Sequence, residues 1–130
     1  MNQQNNRSCN ILCWNIGGIN SERKWLALSD KIFESSCSII CLQETKREHF
    51  DHSYIRKFCP RRFDKFVFQP SFGNSGVLIV IWNSSVATGT MIESHPYVIT
   101  MQFVSNSSLH ENWSLSNIYG QWPLCWRIKR

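Results

Sequence analysis

The sequence of 130 residues lacks any apolar run approaching the roughly 20 residues that a membrane-spanning helix requires. Its first eight residues are polar and rich in Asn and Gln, without the basic start and apolar segment of a secretory signal. The six cysteines include no Cys-x-x-Cys pair. These absences argue against a membrane protein, a secreted disulfide framework and a zinc-binding module. We therefore expect a soluble protein that is not secreted and keeps its thiols reduced.

Aspartate is scarce, and none occurs in the second half of the chain. The three aspartates are Asp30, Asp51 and Asp64. Asp51 precedes His52, but a residue of this type before a short helix is typical of an N-cap, and we interpret it so. The four histidines have no tight metal-binding spacing. Cysteines 9, 13, 37 and 41 lie in apolar runs, which favours buried thiols over a metal site.

The composition is that of a folded domain with a basic surface. Apolar residues make up 42% of the chain and aromatic residues 13%, which excludes a disordered tail. The formal charge of +5 favours an anionic partner such as nucleic acid, although the same excess of Lys and Arg is common on ordinary surfaces. No feature of the sequence indicates a protein partner.

The first part of the chain predicts a β-α-β unit. Residues 9–15 and 38–43 are short apolar runs typical of buried strands, and between them Ser21 can cap a helix with apolar positions at helical spacing, Trp25, Leu28, Ile32 and Phe33. Most such units are parallel and right-handed. The two strands would then present Asn15 and Glu44 at one edge of a sheet.

From residue 65 onward the pattern changes to strands. We predict a hairpin of residues 66–69 and 77–82 around the Gly-Asn-Ser-Gly turn at 73–76, followed by strands at 86–93, 98–104 and 113–119. The second part is therefore predicted to be an antiparallel meander, and the whole chain one α/β unit.

Three motifs occur in order along the chain: Trp-Asn-Ile-Gly-Gly-Ile-Asn at 14–20, Leu-Gln-Glu-Thr-Lys at 42–46 and Asn-Ile-Tyr-Gly at 117–120. Together they resemble the opening motifs of the endonuclease/exonuclease/phosphatase family, and their arrangement is similar to the endonuclease domain of plant LINE-type retrotransposons. The resemblance covers about residues 9–120. It implies an α/β fold in which a β-sandwich is flanked by helices.

The resemblance also implies the chemistry. Glu44 would be the ligand of Mg²⁺ or Mn²⁺, Asn15 would position the metal's water shell or a phosphate oxygen, and Tyr119 would contact the scissile phosphate or the attacking water. Without the resemblance, the residues have alternative interpretations. Glu44 would be a solvated residue, Asn15 would pair with the backbone of a turn, and Tyr119 would be a core aromatic. Asn117 shares a strand face with Tyr119 by alternation and is a candidate neighbour of the site.

The family completes its site with a later Asp-x-Asn pair and a terminal Asp-His pair, and this sequence has neither. We therefore expect a truncated version of the domain at residues 9–120, preceded by a disordered tail at 1–8 and followed by an aberrant tail at 121–130. Truncation would leave the apolar faces of strands 77–82 or 98–104 partly uncovered.

The sequence thus predicts a fragment of a metal-dependent DNA-nicking endonuclease, nuclear or cytoplasmic by resemblance and catalytically inactive as it stands. The alternative is a non-catalytic fragment that binds nucleic acid through its Lys and Arg side chains alone. The DNA target, and the choice among endonuclease, exonuclease and phosphatase specificity, are not determined by the sequence.

Overall fold

The structure is a computed structural model that describes residues 9–69, 78–107, 109–120 and 124–129. The predicted tail at 1–8 and the turn at 73–76 lie outside these residues. The described elements are β1 (Ile11–Asn15), α1 (Glu22–Ser35), β2 (Ile39–Gln43), α2 (His52–Ile55), β3 (Lys65–Gln69), β4 (Leu78–Trp82), β5 (Ala87–His95), β6 (Val98–Ser105), β7 (Asn112–Ile118) and β8 (Leu124–Lys129). The protein is of the mixed α/β class, as predicted.

The first sheet has the strand order β1-β2-β4-β3. Strands β1 and β2 are parallel, which confirms the β-α-β opening, whereas β4 runs antiparallel to both of its neighbours, β2 and β3. Every residue of β2 and β4 is buried. Such burial on both faces explains why these strands read as almost continuous apolar runs.

The second sheet has the order β5-β6-β7-β8, with all neighbouring strands antiparallel. The predicted meander is confirmed for β5, β6 and β7. The predicted hairpin strands, however, belong to the first sheet. Residues 124–129, which the sequence assigns to a tail, pair with β7 as β8.

Two clusters of buried side chains hold these layers together. In the first, α1 and the segment around α2 pack on the outer face of the first sheet, with Leu28, Ile32 and Phe50 fully covered. The second cluster lies between the two sheets, where Met101 and Leu115 from the second sheet share a core with residues of the first. Alternate side chains of β2 and β4 enter each cluster, because side chains point to opposite faces along a strand.

The start of α1 is set by Ser21, whose hydroxyl accepts a hydrogen bond from the Lys24 amide at 3.3 Å, as the capping pattern predicts. None of the described helices is long and apolar enough to cross a membrane.

Two expectations about burial are wrong. Phe33 belongs to the apolar positions that the helical spacing predicts for α1, but 83% of it is exposed. Cys13 is exposed, although Cys9, Cys37 and Cys41 are buried as predicted. Of the two strands expected to be partly uncovered, β4 is buried along its described length, because the second sheet packs on the face opposite the helices. On β6, half-buried positions alternate with buried ones.

Candidate functional site

Glu44 lies directly after β2, in an unusual backbone conformation. Its φ is 57°, and that of Lys46 is 58°, so both non-glycine residues occupy the left-handed region. Thr45 between them is fully buried, while the Glu44 side chain keeps 26% of its surface exposed. A left-handed conformation at such residues costs on the order of 1–3 kcal/mol and persists only where the surroundings hold it in place.

The turn after β1 supplies part of that support. The amide of Ile16 donates to the Gln43 carbonyl at 3.1 Å, and the amide of Gly18 donates to the Glu44 carbonyl at 2.7 Å. Gly17 and Gly18 have φ values of 63° and 101°, which glycine adopts without the steric cost of a Cβ atom. The glycine pair therefore lets the turn continue the pairing with β2 and fix the backbone at Glu44.

Asn15 is the last residue of β1, and its register partner in the parallel pair is Gln43, the residue before Glu44. Its side chain is exposed. The parallel arrangement therefore places Asn15 and Glu44 at the same edge of the first sheet, as expected for strands joined by a helical crossover.

Tyr119 follows β7 and reaches the site from the second sheet. Its amide donates to the Tyr97 carbonyl at 2.9 Å, which continues the β6–β7 pairing beyond the strand. Its hydroxyl donates to Oε2 of Glu44 at 3.3 Å. Desolvation and the nearby Glu44 carboxylate raise the pKa of the Tyr119 phenol, so it stays protonated and able to donate at neutral pH.

Three cationic side chains lie close to this site or to the loops that carry it. The ammonium of Lys46 is 3.6 Å from Oε1 of Glu44, and 58% of the Lys46 side chain is exposed. Lys24 donates to the Ile16 carbonyl at 2.6 Å, and the guanidinium of Arg47 lies over the Tyr54 ring at 3.5 Å from its centroid. The site thus combines one carboxylate, that of Glu44, with positively charged side chains nearby.

The side chains present fit a hard cation that retains most of its water. No group of three or more His, Cys, Asp or Glu side chains that could hold a metal occurs in the described part of the chain. Glu44 provides a partly exposed carboxylate, and Asn15 and Tyr119 provide neutral oxygens. Mg²⁺ prefers oxygen ligands and is commonly bound by one or two carboxylates together with substrate phosphates.

The other candidate features of the sequence lie elsewhere. Asp51 caps α2 by accepting from the Tyr54 amide at 2.8 Å, which confirms its interpretation as a helix cap. An open depression of about 350 Å³ is lined by His52, Ser53, Arg56, Arg61 and Asp64, none of which is a predicted site residue. Desolvation opposes ionisation of Asp64, but hydrogen bonds from the Ser84 hydroxyl and amide outweigh it and lower the Asp64 pKa.

Sequence reasoning missed one buried residue beside the site and gave another only by alternation. Gln43 and Asn117 are both buried, and Nε2 of Gln43 donates to Oδ1 of Asn117 at 2.6 Å. The signal for Gln43 was a polar residue at the end of an otherwise apolar strand, since a buried amide requires a partner.

Comparison with known proteins identifies a fold rather than a family. No protein-family model matches the sequence, and no curated protein is significantly similar to it. Among the solved structures that match is the AP endonuclease LMAP from Leishmania major, with a TM-score of 0.55 and 18% sequence identity. The match covers 85% of this chain and 40% of that structure. The chain therefore has the fold of part of that AP endonuclease.

Proposed function

We propose that this chain is the N-terminal part of a divalent-metal-dependent phosphodiester hydrolase domain of the endonuclease/exonuclease/phosphatase type, with DNA nicking as its ancestral reaction. The observation that carries the proposal is the hydrogen bond between Tyr119 and Glu44, two motif residues 75 positions apart in the sequence. The fold shared with an AP endonuclease supports the same class of activity. The similarity to plant LINE-type endonucleases rests on the sequence motifs.

Each side chain has a defined task in this proposal. Glu44 holds Mg²⁺ or Mn²⁺, which when bound neutralises negative charge on a phosphate oxygen. Tyr119 contacts the scissile phosphate or the attacking water, and the amide of Asn15 donates to a phosphate oxygen or to a bound water. Lys46 balances the Glu44 charge until phosphate and metal arrive.

The chain by itself is proposed to be inactive. No aspartate follows Asp64 in this sequence, so neither an Asp-x-Asn pair nor an Asp-His pair is available to orient the attacking water. Removing a single group that stabilises the transition state typically costs about 10²–10³ in rate, and this chain lacks several. Binding of metal and DNA can persist without hydrolysis.

The test compares the purified chain with Glu44→Gln, which removes the negative charge and preserves the shape. We expect Mn²⁺, detected by loss of the free-ion electron paramagnetic resonance signal, to bind the original chain and not the variant. Neither protein should nick supercoiled plasmid above background with Mg²⁺ or Mn²⁺. Equal Mn²⁺ binding by both proteins contradicts the metal site. Nicking that depends on Glu44 contradicts inactivity.

A second candidate function is binding of nucleic acid without any metal. The observation that favours it is the set of cations beside the site, Lys24, Lys46 and Arg47, in a chain of net charge +5. Such binding weakens steeply with salt, because phosphate contacts displace counterions. Affinity for DNA that responds to salt but is identical with Mg²⁺, with chelator and in Glu44→Gln would favour this function over the first.

A further inference from the structure

Asn117 lies on β7, and its amide side chain is completely buried between the two sheets. Its Nδ2 donates to the carbonyl of Leu42 at 3.2 Å and to that of Ile79 at 3.0 Å. Its Oδ1 accepts from Nε2 of Gln43 at 2.6 Å. Both N–H groups and the carbonyl oxygen of this amide are thus used, and all three partners lie in the first sheet.

These partners lie at one end of the described pairing between β2 and β4. The β2–β4 register ends at the pair Leu42 and Ile79. Beyond it, Gln43 is paired with β1, and Leu78 with β3. Asn117 therefore joins the carbonyls of the last described β2–β4 pair.

The same strand end carries the candidate site. Glu44 follows Gln43 directly, and Tyr119 lies two residues after Asn117. Residues i and i+2 of a strand are about 7 Å apart and face the same side. The end of β2 is thus held from the second sheet at two successive points, by the amide of Asn117 and by the hydroxyl of Tyr119.

We propose that Asn117 is a positioning residue that fixes the end of β2, and with it Glu44, at hydrogen-bonding distance from Tyr119. The assignment of Glu44 as a metal ligand rests on the proposed function, whereas the positioning itself rests on the hydrogen bonds of Asn117. If the role of this buried amide were purely structural, its removal would lower the stability of the fold but would leave Glu44 and Tyr119 in contact.

The first test is a double-mutant cycle that involves no metal and no substrate. Tyr119→Phe should lower the denaturant midpoint of the parent chain, because Glu44 loses a hydrogen bond. The same change should have no effect in an Asn117→Leu background, where the contact is already lost. In a Met101→Ala background it should have its full effect, since Met101 is buried between the sheets and, within the described part of the chain, makes no hydrogen bond to Glu44 or Tyr119.

Gln43→Met provides a second background if Asn117→Leu does not fold. It removes the bond from Gln43 to Asn117 while leaving the two bonds from Asn117 to the Leu42 and Ile79 carbonyls. An undiminished effect of Tyr119→Phe in Asn117→Leu, or in Gln43→Met where the former is unfolded, overturns the positioning role. No effect of Tyr119→Phe in the parent chain also overturns it, because the contact to be positioned is then absent.

The second test measures Mn²⁺ binding at equal folded fraction. Asn117→Leu should bind Mn²⁺ about 10–100-fold more weakly than the parent, the loss typical when a group that orients a metal ligand is removed. Met101→Ala should bind like the parent. Unchanged affinity in Asn117→Leu overturns the inference, whereas Mn²⁺ binding that is independent of Glu44 overturns the proposed function and leaves the cycle to decide the role of Asn117.

Discussion

At the candidate site, a residue that follows a strand of the first sheet, Glu44, meets a residue that follows a strand of the second sheet, Tyr119. The left-handed backbone at Glu44 is held by the Gly18 amide, and its carboxylate accepts the Tyr119 hydroxyl. Strained backbone of this kind concentrates at functional sites, and here it occurs at the residue that the motif pattern singled out. The hydrogen bonds from the turn after β1 offset the free-energy cost of this backbone conformation.

The contact makes a prediction about pH. Glu44→Gln should lower the Tyr119 pKa toward its ordinary value of 10.0, because the variant removes a negative charge that disfavours the phenolate. The raised pKa means that the folded state binds this proton more tightly than the unfolded state. The resulting stabilisation is complete below about pH 10 and is lost as pH rises through the folded pKa.

Ultraviolet absorbance during alkaline titration follows this ionisation. Tyr119→Phe identifies the component that belongs to Tyr119 among the three tyrosines of the chain. A Tyr119 titration that is the same with Glu44 and with Gln at position 44 would contradict the contact.

At the scale of the elements, local patterns specified most helices and strands correctly. Ser21 caps α1, Asp51 caps α2, and the apolar runs became β1, β2 and β4. Phe33 was misassigned because helical periodicity gives a face about 100° wide or more and does not fix its edges. The sheet determines which edge residues are covered.

Substitution of Gly89, which lies on β5, would test how tightly the two sheets pack. A Cβ atom there would lie 2.6 Å from Cε1 of Phe103 and 3.0 Å from Cε2 of Trp82. Gly89→Ala should therefore lower the free energy of unfolding by about 1–3 kcal/mol, the usual cost of overpacking. Chemical denaturation measures the loss. Adding Gly89→Ala to Phe103→Leu should cost less than adding it to the parent, and an equal cost in both would argue against the clash.

At the scale of the whole molecule, β2 and β4 connect the two cores. Because their alternate side chains enter the helix-covered cluster and the cluster between the sheets, neither core can be lost without disturbing the other. We therefore expect a single cooperative unfolding transition.

Ile39 and Ile40 give a matched pair of variants for this expectation. They are adjacent on β2 and equally buried, but Ile40 belongs to the helix-covered cluster and Ile39 to the cluster between the sheets. Ile39→Val and Ile40→Val should each lower the free energy of unfolding by about 0.5–1.5 kcal/mol. Circular dichroism and Trp fluorescence should report one coincident transition for both variants. Two separable transitions, each shifted by only one variant, would show independent cores.

The sequence by itself determined the α/β class, the parallel opening, the helix caps and the three motifs, because these depend on periodicity and on residues close together in the chain. It did not determine that the later strands divide between two sheets, since strand patterns record which faces are buried and not which partner covers them. Only the tertiary structure brought Tyr119 to Glu44 and placed Asn117 at the last described pair of β2 and β4. Hydrogen bonds between residues some 75 positions apart depend on how the sheets pack, and no local pattern encodes that packing.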